Sequence, residues 1–210
     1  MATKIENLLV GTRGWLHQSW NKNFYPDDMP EDWRLDYYNQ YFKALLIPQD
    51  VWKQWDAAYI AEIEVLHEPE PFFIFFEVSD FSEVVLDQIK ELKDLLKDKA
   101  YGVLGMNLSQ AEINYLEDEL ADTDYKLTSC APRPQIMGWS CDSGLGVLSG
   151  EPMFLIRMND HPMSQLKDAV SPFLDSLPQD FPGGCVFAVD EDVSTKHVTD
   201  MKLLFELLGH

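Results

Sequence analysis

Residues 8–26 read LLVGTRGWLHQSWNKNFYP. This stretch decides the fold because it changes character abruptly. A short apolar run, Asn7 to Val10, predicts a buried strand. Gly11 and Gly14 follow at once and predict a tight backbone turn. Trp15, His17, Trp20, Phe24 and Tyr25 then come in quick succession. In α/β folds the loop after a strand is where binding chemistry gathers. The aromatic groups either line a pocket there or pack the floor of a core.

Outward from this stretch, short apolar runs alternate with periodic ones. Ala44–Ile47, Phe72–Val78, Tyr101–Leu108, Tyr125–Cys130, Met153–Met158 and Cys185–Val189 read as further buried strands. SEVVLDQIKELKDLLKDK spaces Val85, Ile89, Leu92 and Leu96 as a helix face, with Asp80 or Ser82 as N-cap. SQAEINYLEDELAD opens on Ser109 with Glu112 three residues later, a capping box. In the last helix Val198, Met201, Leu204, Phe205 and Leu208 form one stripe, and Gly209 stops it. EDWRLDYYNQYF and QDVWKQWDAA, each after a proline, add two helices near the N-terminus. MSQLKDAVSPFLDSL predicts a weaker one, broken or kinked at Pro172. HEPEPF and residues 131–152, rich in Gly and Pro, read as irregular; the second is a long loop or a degraded βα unit. Strand and helix in alternation predict a single α/β domain over 1–210, a parallel sheet with helices outside.

Composition sets limits. The chain has 210 residues, 46% hydrophobic and 12% aromatic, enough for one sizeable core. The formal net charge of -20 repels phosphate backbones, so nucleic-acid binding is disfavoured. Such charge serves solubility, or forms an acidic surface that docks a basic partner or mimics nucleic acid. No run reaches the ~18 apolar residues of a membrane span. The N-terminus has no long apolar region, so a soluble cytoplasmic protein is expected. Cys130, Cys141 and Cys185 show no CxxC spacing and read as small buried hydrophobes.

The polar candidates each have two readings. Arg13, between two glycines, can hold an anion through its fork of donors. The glycine spacing matches neither GxGxxG nor GxxxxGK[ST], so tight turning is the plainer role of the glycines. His17 is either an acid–base group or a ring packed beside Trp15 and Trp20. Asp190, Glu191 and Asp192 either hold a divalent cation or form a solvated turn that caps the last helix. His67, His161, His197 and His210 are scattered without metal-ligand spacing. No nucleophile elbow is present. Neither a metal site nor a cofactor is expected.

These residues carry a resemblance. VGTRGWLHQSWNKNFYP resembles the opening of the DUF72 (YecE-like) family, through Gly11, Thr12, Gly14, Trp15, Trp20, Phe24, Tyr25 and Pro26. LDYYNQYF is similar to the family's next helix through Leu35, Tyr38 and Phe42. FLIRM is similar to a late strand through Arg157, and VFAVDEDVSTKHVTDMKLLFELLG to the final strand and helix. The resemblance implies a TIM-type (β/α) barrel, with its site at the C-terminal ends of the strands. It also implies departures. Arg13 replaces a serine, ALLIPQDVW replaces a polar end of strand two, Val78 stands where the family has Lys, and Asp190 and Glu191 replace paired asparagines. At 210 residues against the ~250 of a complete barrel, about one βα unit is missing, and it falls between Ser109 and Gly150.

The expected fold is therefore a reduced or incompletely closed TIM-type barrel. The expected function is a divergent, non-catalytic binding or interaction protein. An enzyme of hydrolytic or phosphate-ester chemistry at the same face is the alternative. The candidate pocket gathers Arg13, Trp15, His17, Trp20, Tyr25, Arg157 and Asp190. Expected partners are a basic protein or a small anionic ligand, without nucleic acid or membrane. The gap left by the missing unit predicts either a homodimer, slightly preferred, or a monomer plugged by residues 138–152.

Overall fold

The first strand, β1 (Leu8–Arg13), runs past its apolar start because Gly11 lets the neighbouring backbone come close. A Cβ at Gly11 would lie 2.1 Å from the carbonyl oxygen of Ala44 on β2 (Ala44–Ile47). The computed structural model describes residues 5, 7–66 and 71–209. His67, His210, the start of HEPEPF and most of the N-terminal segment before Asn7 lie outside the described residues.

Seven strands follow chain order round a parallel arc. β8 (Met153–Ile156) pairs with β9 (Gly184–Ala188), and β9 with β1. From β1 the arc continues through β2, β3 (Phe73–Val78), β4 (Ala100–Met106) and β5 (Lys126–Ala131). First and last parallel strands pair directly, with Leu8 opposite Gly184 and Thr12 opposite Ala188, as a barrel requires. β2 and β3 are buried on both faces, which is why they read as unbroken apolar runs.

Helices cover the outside. α1 (Trp20–Asn23), a 3-10 turn at Glu31–Trp33 and α2 (Arg34–Tyr41) follow β1. α3 (Gln49–Trp52) and α4 (Ala57–Glu64) follow β2. α5 (Glu83–Leu96) follows β3 and starts at Ser82, whose hydroxyl accepts from the Val85 N–H. α6 (Gln110–Leu120) follows β4 and carries the Ser109–Glu112 capping box. α7 (Leu166–Ser176) precedes β9, and α8 (Thr195–Leu208) ends at Gly209 with φ 87°. Pro172 does not break α7. Pro172 and Asp168, whose carbonyl loses its helical partner, are both exposed, so water can take that carbonyl. Val170 and Phe173 are fully buried on the other side and hold the helix in place.

The departure from a complete barrel lies after β5. No helix lies between it and the next strand. Residues 131–152, expected as irregular, instead contain an antiparallel hairpin of β6 (Ser140–Asp142) and β7 (Val147–Gly150). β7 pairs antiparallel with β5, so the sheet order is β6-β7-β5-β4-β3-β2-β1-β9-β8 and the barrel is incompletely closed. Trp139 bridges the gap. Its indole N–H donates to the Ser176 hydroxyl at 3.0 Å, and its ring meets Phe173 at 6.0 Å. All three cysteines are buried.

Candidate functional site

The opening stretch separates into a floor and a rim. Trp20 is fully buried, stacks near Tyr38 at 6.0 Å and donates its indole N–H to the Val193 carbonyl at 2.5 Å. Tyr25 donates its hydroxyl to the Trp15 carbonyl at 2.6 Å, and Arg34 lies over its ring. Tyr38 receives the Thr12 N–H and donates to the Ala44 carbonyl, which fastens α2 to the seam between β1 and β2. Trp20 and Tyr25, expected in the pocket, therefore belong to the aromatic core between sheet and helices. Burial drives their phenol partner Tyr38 and Tyr25 itself well above the usual range, so both stay neutral.

Arg13 is on the rim, at the C-terminal end of β1. Its guanidinium reaches past β2 to Glu77 on β3 and makes a two-pronged pair, Nε to Oε2 at 2.6 Å and one terminal nitrogen to Oε1 at 2.9 Å. That hydrogen bond, with the nearby carboxylates, raises the already high pKa of Arg13. Trp52 holds the Glu77 backbone by donating to its carbonyl at 2.8 Å. The Gln49 side chain pins the chain after β3 by accepting from the Ser79 and Asp80 N–H groups and donating to the Asp80 carbonyl.

Arg13, Glu77 and Arg157 border one cavity of about 280 Å³. Its other walls are Leu46, Leu104, Met106, Asn107, Leu155 and Val189, and Leu145 from the turn of the β6–β7 hairpin. Thus the segment that replaces a βα unit also supplies a wall. The Arg157 side chain has no hydrogen-bond or ion-pair partner among the described residues, whereas Arg13 is paired with Glu77. The cavity therefore carries one cation without an ion-pair partner among the described residues, between polar and aliphatic walls. Arg157 also borders an adjoining open recess with Asn159, Asp160 and Asp190 to Asp192.

The other expected site residues are placed elsewhere or already engaged. Both carboxylate oxygens of Asp190 accept backbone N–H groups, from Met158 at 2.7 Å and Asn159 at 3.1 Å. Asp192 accepts from the Ser19 N–H and hydroxyl. These acids tie loops together and do not cap the last helix, whose N-cap Ser194 makes no side-chain cap bond. His17 is 4% exposed, packs on Trp20 at 4.6 Å and sets Nδ1 3.3 Å from the Glu191 carbonyl. Burial lowers its pKa, so the neutral ring is favoured. Trp15 borders a separate hollow between the loops after β1 and β2. Among the described residues, no group of three or more His, Cys, Asp or Glu is placed to hold a metal ion. No helix of the described residues is long and apolar enough to cross a membrane.

Glu77 was not anticipated from sequence. The signal was present: it is the one charged residue in the run FFIFFEV, and a carboxylate in a strand buried on both faces needs a partner.

No protein-family model and no curated protein matches the sequence. Among solved structures, the fold is similar to that of a DUF72 family protein from Thermotoga maritima. The identity is 12% and the TM-score 0.59, over 95% of this chain and 99% of that one. At this identity the likeness is one of fold.

Proposed function

We propose that the chain is a divergent DUF72 protein that binds a small anionic ligand at the C-terminal face of its barrel without transforming it. The single observation behind this reading is the unequal state of two arginines in one cavity. Arg13 is held in a bidentate pair by buried Glu77, while Arg157 stands unpaired at the edge. An anion gains a charge-assisted contact from Arg157 and aliphatic contact from Leu145, Leu155 and Val189. An enzyme of hydrolytic or phosphate-ester chemistry is less well supported. Its candidate acids are committed: Glu77 to Arg13, Asp190 to two backbone N–H groups and Asp192 to Ser19.

The test is a thermal-shift and calorimetric titration with inorganic phosphate and short aliphatic carboxylates, against chloride at equal ionic strength. Binding is expected, and Arg157→Ala should weaken it about tenfold or more, as for loss of a hydrogen bond to a charged group. Equal affinity in Arg157→Ala, or no binding by either class, would remove the reading.

A further inference from the structure

The hollow bordered by Trp15 has a chemistry opposite to that of the arginine cavity. Its volume is about 430 Å³, within the range of ligand sites. Half-buried Trp55 and Tyr59 supply aromatic surface beside the buried Trp15, and Glu31, Asp32 and Asp56 supply carboxylates. None of the residues lining it is Lys, Arg or His. The aromatic wall is built before any ligand arrives. Trp55 sits edge-on to Tyr59 at 5.4 Å and to Phe76 at 6.1 Å, and Trp15 is 4% exposed. Asp56 is fixed as the N-cap of α4, accepting from the Tyr59 N–H at 2.8 Å. Glu31 and Asp32 are exposed and have no ion-pair partner among the described residues. Burial first, then the carboxylates of Glu62, Glu31 and Asp32, push the Tyr59 phenol up to about 12.

Beside it the surface is apolar where water would favour polar groups. Leu16, which borders the hollow, is 44% exposed, and Trp33, in the same turn as Glu31 and Asp32, is 64% exposed. A small free cation would leave these side chains bare. A protein segment would cover them.

We propose that this hollow docks an arginine side chain presented by a basic segment of a partner protein. A guanidinium stacks on indole faces and forks to carboxylates, a combination that the wall and rim both offer. The net charge of -20 draws such a partner in from a distance. This site is independent of the anion site at Arg157.

The experiment titrates the full chain with a short peptide of alternating Arg and Gly, its Lys counterpart and free arginine. Tryptophan fluorescence and calorimetry are the readouts. The Arg peptide should bind, more tightly than the Lys peptide and than free arginine. Trp55→Leu, and separately Glu31→Gln with Asp32→Asn, should weaken it by about tenfold or more. Glu117→Gln with Asp118→Asn on α6 removes the same charge and should leave it unchanged. The acidic double variant alters only exposed side chains, so the test survives if Trp55→Leu does not fold. Absence of peptide binding, or equal loss in the α6 variant, overturns the proposal. So does free arginine binding as tightly as the peptide, which would make the hollow a small-cation site.

Discussion

Two glycines three residues apart do different work. Gly11 has ordinary backbone angles but no room, since a Cβ would meet the Ala44 oxygen at 2.1 Å. Gly14 has room, with nothing within 4 Å of its Cβ position, but a φ of 78°. Gly14→Ala should therefore cost about 1–2 kcal/mol of left-handed strain. Gly11→Ala must push β1 off β2 and should cost clearly more, read as the fall in the urea midpoint. Equal losses would show that backbone angle alone explains both. His17 makes a pH prediction. Its folded pKa is lowered by burial, so the native state disfavours the charged ring. The stability it contributes is complete above the unfolded value of about 6.5 and is lost as pH falls through the folded one. His17→Phe should flatten the decline of the thermal midpoint just below pH 6.5. It should leave the later decline near the carboxylate range, where Glu112 and its Ser109 cap are lost, in place. An unchanged profile between pH 6.5 and 5 would place the titration elsewhere. These residues also show what sequence can and cannot reveal. Arg13 was legible as an anion holder, and Arg157 as a candidate for the same pocket. Only the fold shows that Glu77, two strands away, has already taken one of them.

At the scale of elements, the parallel strands were legible because burial on both faces writes them as apolar runs. The caps at Ser82, Ser109 and Gly209 were legible because their chemistry is local. The β6–β7 hairpin was not. Its strands are short, its turn carries Gly144 and Gly146 at positive φ, and its stabilising contacts are distant in sequence. Gln135 illustrates this. Its side chain receives the Ser129 hydroxyl and donates to the Leu108 carbonyl, while its own N–H donates to the Ser149 hydroxyl. Trp139 joins the hairpin to α7 through Ser176 and Phe173. Trp139→Ala should cost about 3–5 kcal/mol if that seam is packed as a core. A discount applies because the ring is only half-buried, so about 2 kcal/mol is the expected loss. Hydrogen exchange should locate it in residues 139–150 and α7, and exchange spread evenly through the barrel would show that the hairpin is no separate unit.

The whole molecule poses the question of assembly. An incompletely closed barrel leaves two sheet edges, and unpaired edges invite association. The sequence alone slightly preferred a second copy as the cover. We propose instead a cover from within the chain. One edge is β6, only three residues long, with Ser140 and Asp142 exposed. Short, polar edges resist pairing. The other is β8, four residues long and wholly buried, with α7 and Trp139 closing the space between the edges. Leu145 borders the arginine cavity from the same hairpin. Charge acts in the same direction, since two bodies of -20 repel until salt shortens the field to about 8 Å at physiological strength. Light scattering should therefore give the mass of one chain at low and at moderate salt, across the accessible concentration range. Salt is the informative variable, because it removes the repulsion and leaves the surface chemistry. A monomer only at low salt, with a dimer once charge is screened, would mean that the hairpin does not seal the gap. A dimer created by Trp139→Ala in a wild-type background that stays monomeric would show the reverse: the seal is the hairpin, and removing its anchor exposes the edges it covers.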